Sequence, residues 1–571
     1  MLRKPLCFLF ILTCAVGSAF SQGTSASSQS QELRPTTTIY SKTELVYVPV
    51  VVRDKDGKHV RGLTKDAFTV QQDGAPQTIS VFEEVSGPRK ERTAISVGDG
   101  FVTNVTPETN DRQLSVIVLD LMNTPVIRQG DAQRAVIQYL GNNALATHPI
   151  ALFALTTSGL QQIYSFTEDP ALLIRALQKF GSQSGGAADI TAENQAEVDR
   201  LKAVEGAAAA GDAGMQSIVA RLVAATKRGN VAYQVSTIRG TLASLEQLAG
   251  ALAGVPGRKS VIWATAGFPF ILDDPESFEN RGTELMDDYA RIWKLLNSAS
   301  VAVYPVDVTG LNAVGMAGTG IYGNDQRITG AQVQSVAHGV GIAMTPGLER
   351  QDSLRAIASA TGGKAFLNRN DLDHAFEEAD SDSADYYLLG YYLKKSAKPG
   401  WHKLKATVDV PRSSIRARDG FYSGTPVKAG DKSTRREFAT AIAGPIDYTS
   451  VPFASRAEVD SKKCSGGKCL VVAETVIPPQ SLVINRDDAN FVNFDIALLA
   501  LAPNEKVAGE SSETIRLHLT PQSLQEVMST GITYRGKVHL PAGTYDLRVA
   551  VRDNQTGKIG TIRTNVTVPK L

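Results

Sequence analysis

Between Thr43 and Phe82, apolar and polar residues alternate with a period of two. Val46, Val48, Val50 and Val52 lead to a turn at Asp54-Lys55-Asp56-Gly57; Phe68 and Val70 lead to a second at Asp73-Gly74; Ile79 and Val81 follow. Alternation cut by Asp-Gly turns predicts antiparallel strands with one buried face. Residues 43–85 are therefore expected to form an amino-terminal β-rich domain, a small sandwich. A polar stretch from Ser86 to Arg112 leads onward.

The centre reads differently. Residues 114–119 (LSVIVL), 150–155 (IALFAL), 260–264 (SVIWA) and 301–306 (VAVYPV) are continuous apolar runs, as expected for strands buried on both faces of a mainly parallel sheet. Segments 131–141, 169–180 and 237–253 carry apolar residues at helical spacing, a further helix reads at 354–361 with Gly362-Gly363 as its stop, and a strand reads at 386–392. This alternation predicts the α/β class, a doubly wound, mainly parallel sheet over residues 113–424. Two long insertions interrupt it. One, at 182–232, is rich in Ala, Gly and Glu; the other, at 310–350, is rich in Gly. Stretches of that length are functional or disordered, and the second leaves from the carboxyl edge of the sheet, where open α/β folds bind ligands. Alternation returns at 469–476, 491–501, 515–519, 543–553 and 562–568. Residues 437–571 are thus expected to be a carboxyl-terminal β-sandwich domain, reached through a polar linker that ends at Arg436.

Length agrees with several units, because 571 residues exceed what one core can hold. With 43% hydrophobic and 20% charged residues the composition is that of an ordinary globular protein. A net charge of +1 gives no pull toward polyanions. The basic clusters at 89–92 and 432–436 read as solvated linkers, so no nucleic acid partner is expected. The first segment adds an address. Arg3 and Lys4, the apolar run 6–16 and the small residues Ala19 and Ser21 form a secretory signal peptide over residues 1–21. A flexible leader, 22–42, follows. Thr13 is too large to precede a lipidated Cys14, and no other stretch approaches the roughly 18 apolar residues of a membrane span, so the mature chain is expected to carry no transmembrane anchor. It is expected to be exported, periplasmic or secreted. Cys7 and Cys14 leave with the signal, and Cys464 and Cys469 are expected to pair as a disulfide across Ser465-Gly466-Gly467-Lys468. A zinc site is the alternative, but it needs four ligands and no second Cys or His pair lies near.

Several linked motifs carry a resemblance. LSVIVLDLMNTP (114–125), VPGRKSVIWATAGFP (255–269), VAVYPVDVTGL (301–311), LRAIASATGGKAFLNRNDL (354–372), DYYLLGYY (385–392) and RARDGFY (416–422) stand in order. The central region resembles the von Willebrand factor A superfamily, and the whole chain is similar to the secreted VWFA-related group common in Acidobacteria. The resemblance reaches the block ending GLTKDAFTVQQDGAPQTISVFE and the late PAGTYDLRVAVRDNQTGKIG. It implies adhesion or assembly, often through a divalent cation held by Asp-x-Ser-x-Ser, a Thr from a later loop and a further Asp. Hard oxygen ligands suit Mg²⁺, which keeps an open position for an acidic side chain of the partner. Asp120 matches the first Asp; Met122 and Thr124 stand at the two Ser positions, with Asn123 between them; Ala266 falls where the later Asp belongs; Thr237 or Thr241 supplies the Thr. The implied metal-ion-dependent adhesion site is therefore degenerate, with Asp120, Thr124 and Thr237 as candidate ligands for a weakly held Mg²⁺ or other divalent cation. In the alternative, Asp120 caps the following turn and Thr124 bonds to backbone. Asn123 and Asp307 are the candidate binding-rim residues, although an Asp at a strand end followed by Thr-Gly is more often a turn former, the reading favoured for Asp307.

The motifs of catalysis are missing: no His-Glu-x-x-His, no Gly-x-Ser-x-Gly, and seven His without ligand-like spacing. Gly257-Arg258-Lys259-Ser260 precedes a strand instead of opening a helix, so it is no phosphate loop. Tyr386, Tyr387, Tyr391 and Tyr392 read as packing residues on alternate faces of a strand. The expected function is a non-enzymatic protein-binding or adhesion-type module that uses the carboxyl edge of the central sheet. The alternatives are a metal-free structural component of a cell-envelope assembly and, less favoured, a secreted enzyme of unrecognised type.

Overall fold

The computed structural model describes residues 45–86, 98–105, 114–142, 148–180, 200, 213–267, 285, 288–289, 291–309, 350–382, 384–394, 398, 400–423, 432–486 and 488–570. The expected signal peptide at 1–21, the leader at 22–42, most of the first linker and residues 310–349 of the second insertion lie outside them.

Four strands open the described chain: β1 (Leu45–Arg53), β2 (Phe68–Gln72), β3 (Ala75–Gln77) and β4 (Val81–Val85). Val46, Val48, Val50 and Val52 all enter one core, as their period-two spacing requires. Asp73 and Gly74 have φ of 50° and 82°, the two positive values that a two-residue hairpin turn demands. A short β5 (Val102–Thr103) follows.

The next elements are β6 (Leu114–Asp120), α1 (Val126–Asn142), β7 (Ile150–Thr156), β8 (Gly159–Thr167), α2 (Pro170–Lys179), α3 (Ala213–Leu252), β9 (Lys259–Thr265), β10 (Val301–Asp307), α4 (Arg350–Thr361) and α5 (Leu372–Ser381). Every residue of β6, β7, β9 and β10 is buried. Alternate residues serve two cores. Val116, Val118, Val261, Trp263 and Val303 pack with Leu245, Leu248 and Ile357 on one side; Ile117, Leu119, Ile262 and Tyr304 pack with Val136, Leu140, Leu177 and Phe376 on the other. Burial on both faces is why these strands are apolar throughout. They pair in parallel in the order β10-β9-β6-β7, and β8 closes the sheet as an antiparallel edge.

The chain then returns to its start. β11 (Tyr386–Tyr392), β12 (Gly400–Val408), β13 (Ser414–Arg416) and β14 (Gly420–Ser423) join the first four strands as two facing sheets, β13-β1-β11-β4 and β14-β12-β2-β3. Tyr387 and Tyr391 enter their shared core, while Tyr392 stays exposed.

After α6 (Lys432–Ala443) come β15 (Ala454–Ser465), β16 (Lys468–Ile477), β17 (Phe491–Leu501), β18 (Val507–His518), α7 (Pro521–Thr530), β19 (Ile532–Pro541), β20 (Gly543–Asp553) and β21 (Ile559–Val568). They form the sheets β19-β16-β15-β5 and β18-β17-β20-β21 around Val471, Phe494, Leu498, Leu547 and Val549. Cys464 and Cys469 sit opposite each other in the β15–β16 register and are joined by a disulfide. Gly466 and Gly467, with φ of 58° and 76°, make the turn between them.

The expected class, an α/β doubly wound and mainly parallel sheet flanked by two β-sandwich domains, is corrected. Among the described residues the chain is mostly β: twenty-one strands in five sheets, four of them wholly antiparallel, with parallel ladders confined to four strands of one mixed sheet and one isolated parallel bridge from Val306 to Phe366. The strand at 386–392 does not extend the parallel sheet, because it pairs antiparallel with β1 and β4. The opening strands accordingly share one core with residues from 387 to 421. The physical reason is that periodicity is local, whereas the choice of neighbouring strand is made by contacts more than 300 residues apart. Residues 432–436, read as linker, begin α6.

The mixed sheet and the last sandwich meet at the end of α3. There the Gly254 N–H donates to Thr449 Oγ1 at 3.0 Å, and that hydroxyl donates to Ala251 O at 2.6 Å. A Cβ on Gly254 would overlap the Thr449 carbonyl oxygen, which is backbone and cannot rotate away. Gly254→Ala is therefore expected to lower the unfolding free energy by about 1–3 kcal/mol, the usual cost of overpacking, read as a lower urea midpoint at unchanged slope. Among the described residues no helix is long and apolar enough to cross a membrane.

Candidate functional site

The carboxyl ends of β6 and β9 meet at a compact polar cage. Asp120, the last residue of β6, is buried. Its Oδ1 accepts from the Asn123 backbone N–H at 2.8 Å and from Asn123 Nδ2 at 3.1 Å. Its Oδ2 accepts from Asn123 Nδ2 at 2.9 Å and from Trp263 Nε1 at 2.9 Å, and lies 2.9 Å from Thr265 Oγ1. Burial pushes the carboxyl upward from its ordinary value, while the bonds from Asn123, Trp263 and Thr265 oppose that shift.

The turn after β6 is tied down residue by residue. Leu121 and Met122 both donate their N–H to Leu155 O, at 2.9 and 3.0 Å. Gln129 Nε2 donates to Leu121 O at 2.9 Å and to Thr124 O at 3.1 Å. Thr124 Oγ1 accepts from the Ala266 N–H at 3.0 Å, which couples the β6 turn to the β9 turn. Asn123 Nδ2 also reaches Thr241 Oγ1 at 3.1 Å.

The sequence-derived residues thus fall into two sets. Asp120, Asn123 and Thr124 come together, with Thr241 as the contribution from α3. Thr237 does not join them, because its hydroxyl donates to Tyr233 O within the helix at 3.1 Å. Asp307 ends β10 and accepts from Thr309 N at 2.9 Å and Thr309 Oγ1 at 2.6 Å, a local turn. Trp263 and Thr265 are the cage members that pattern reading missed. Their signal was only their place at the end of an apolar strand beside the one that delivers Asp120.

The donor set does not fit a divalent cation. Oxygen lone pairs are what such an ion requires, yet Asp120 is ringed by N–H groups and, among the described residues, has no second carboxylate beside it. Among the described residues no group of three or more His, Cys, Asp or Glu side chains is placed to hold a metal ion.

A second polar group lies in the first sandwich, beside a groove of about 310 Å³ lined by Gln77, Lys394, Lys398 and His402 among others. His402 Nδ1 is 2.7 Å from Asp73 Oδ2, and Nε2 is 2.9 Å from Ser423 Oγ. The order of atoms is that of a nucleophile relay. The surroundings are not, since Ser423 Oγ donates to Lys398 O at 3.1 Å and His402 Nε2 lies 2.9 Å from the same carbonyl. The same carbonyl therefore competes with the imidazole for the serine proton. Burial would raise the Asp73 carboxyl, but the bonds from His402, the Lys403 N–H and Gln72 hold it below its ordinary value. This group clamps the β2–β3 turn to β12 and β14.

No family model matches the chain, and no curated protein matches it. Among solved structures it is similar to the pilus adhesin SpaC of Lactobacillus rhamnosus GG, at 8% identity over 85% of this chain and 57% of that one, with a TM-score of 0.22. The chain spans 57% of the length of that adhesin, and a likeness this weak decides neither fold nor function.

Proposed function

We propose that the chain is an exported, non-enzymatic binding protein whose rim at the carboxyl ends of β6 and β9 receives a protein partner. The observation that carries this reading is the apolar pair Val126 and Ile127, 39% and 84% exposed, at the start of α1. Single exposed apolar residues are ordinary on a protein surface. These two follow directly on a turn that Asp120, Thr124 and Gln129 hold by buried hydrogen bonds. A preordered tip loses little conformational freedom on binding, so more of its burial energy appears as affinity. Export is supported by the charged start, apolar run and small residues of 1–21, and the Cys464–Cys469 disulfide suits an oxidising compartment.

A photo-crosslinking side chain at position 127 is expected to capture a protein in the native cell envelope. The same group at position 528, where exposed Met528 lies on α7, is expected to capture none. With the probe at 127, Val126→Glu should weaken that capture roughly tenfold or more, as for a central apolar anchor, with the melting temperature unchanged. Equal capture at both positions, or full capture by the Glu variant, would remove the rim from consideration.

A further inference from the structure

The Asp120 cage has the wrong polarity for a metal and the right polarity to replace one. Cation ligation needs several oxygen lone pairs aimed at one point. The groups aimed at Asp120 instead carry hydrogens: the Asn123 backbone N–H at 2.8 Å, Asn123 Nδ2 at 2.9 and 3.1 Å, Trp263 Nε1 at 2.9 Å and the Thr265 hydroxyl at 2.9 Å. An indole N–H has no lone pair to offer, and it occupies the Oδ2 direction that a cation would use.

Among the described residues the threonine hydroxyls nearby are already engaged, and the one orphaned oxygen of the turn, Gln129 Oε1, is a single neutral acceptor. Thr124 Oγ1 takes the Ala266 N–H at 3.0 Å, Thr241 Oγ1 donates to Thr237 O at 3.0 Å, and Thr265 Oγ1 is 2.7 Å from Gly267 O. Met122 is turned into the apolar core with Val118 and Leu242. Position 266 is alanine, with no side-chain donor at all.

We infer that Trp263 and Asn123 supply, through fixed N–H donors, the hydrogen bonds that keep Asp120 and its turn in place, so that the rim is complete without a divalent cation. One consequence, which rests on the rim being the binding surface, is that partner capture does not run through a metal bridge to an acidic side chain. Capture is then insensitive to chelators.

The test uses the full exported chain, stripped with EDTA. Mn²⁺ is titrated in and the bound fraction read by electron paramagnetic resonance; melting is compared with and without excess Mg²⁺. The expected result is no saturable Mn²⁺ binding that depends on Asp120 or Thr124, and no Mg²⁺-induced rise in melting temperature. Asp120→Asn and the isosteric Thr124→Val are run in parallel, so that one folded comparison remains if the other fails to fold. Mn²⁺ bound one to one in the parent and lost in either variant overturns the inference, as does a Mg²⁺ stabilisation that either variant abolishes. Mn²⁺ bound equally by parent and variants sits elsewhere and supports it. Capture at position 127 that EDTA removes and Mg²⁺ restores also overturns it, while leaving the rim as the binding surface; absence of capture at 127 bears on the rim alone.

Discussion

Asp120→Ala is expected to lower the unfolding free energy by about 3 kcal/mol near pH 4, because it strands buried donors that end on its carboxyl. Trp263 Nε1 and the Asn123 N–H both end on this carboxylate, and each buried unsatisfied donor costs about 1–3 kcal/mol. Thr265 loses least, since its proton can turn to Gly267 O at 2.7 Å. The cost should also depend on pH. Burial holds the carboxyl above its ordinary value of 3.8, against the bonds from Asn123, Trp263 and Thr265. The native state therefore keeps its proton to a higher pH than the unfolded chain does. Stability from this group is complete below the unfolded value and declines as pH rises from there through the folded value. The parent should lose stability across that window more steeply than Asp120→Ala, so the gap between them narrows toward neutral pH. Urea midpoints measured from pH 4 to pH 8 decide the matter; a gap that widens with pH would mean that the native carboxylate is stabilised as the anion.

That cage also marks how far the sequence can be read. LSVIVL, IALFAL, SVIWA and VAVYPV name the four parallel strands because two-sided burial leaves a continuous apolar run. Asp120 is visible as the residue where such a run stops. Its true partners are not visible: Thr237 and Thr241 lie one helical turn apart, and only the packing of α3 on the sheet selects Thr241. Trp263 reads as one more apolar strand residue, and nothing in the pattern announces that its indole N–H reaches the neighbouring strand's end. The same limit hid the pairing of β1 with β11, whose alternation would serve an edge of the central sheet equally well. Asp73, His402 and Ser423 come from three separate strand ends, so their cluster has no sequence spacing to find. β8 escaped notice for another reason: Gln161, Gln162 and Ser165 on an edge strand blunt its apolar signal. In α6, polar residues at 432–436 masked a helix whose buried apolar residues are Ala441 and Ile442.

The other large effect is expected at Asp382, where three elements converge on one fully buried carboxylate. Arg53 of β1 donates through Nε to Oδ1 at 2.9 Å, Arg416 of β13 pairs with Oδ2, and the Tyr304 phenol of β10 bonds to it as well. Asp382 follows α5, so it ties the first sandwich to the mixed sheet. Alanine there leaves two cations and a phenol around an empty site, and breaking a buried pair from one side costs about 3–5 kcal/mol. The arginine side chains are 16% and 22% exposed, so part of their charge can reach water and the lower end, about 3 kcal/mol, is expected. The cost comes from stranded charge and not from lost attraction alone, which a compensated variant separates. Replacing Arg53 and Arg416 by Met together with Asp382→Leu removes all three charges at similar volume, and such exchanges are often neutral or stabilising. The triple variant should recover most of the urea midpoint that Asp382→Ala loses. Failure to recover it would place the value of this cluster in its geometry, the registration of β1 and β13 against α5, instead of in the charge it neutralises.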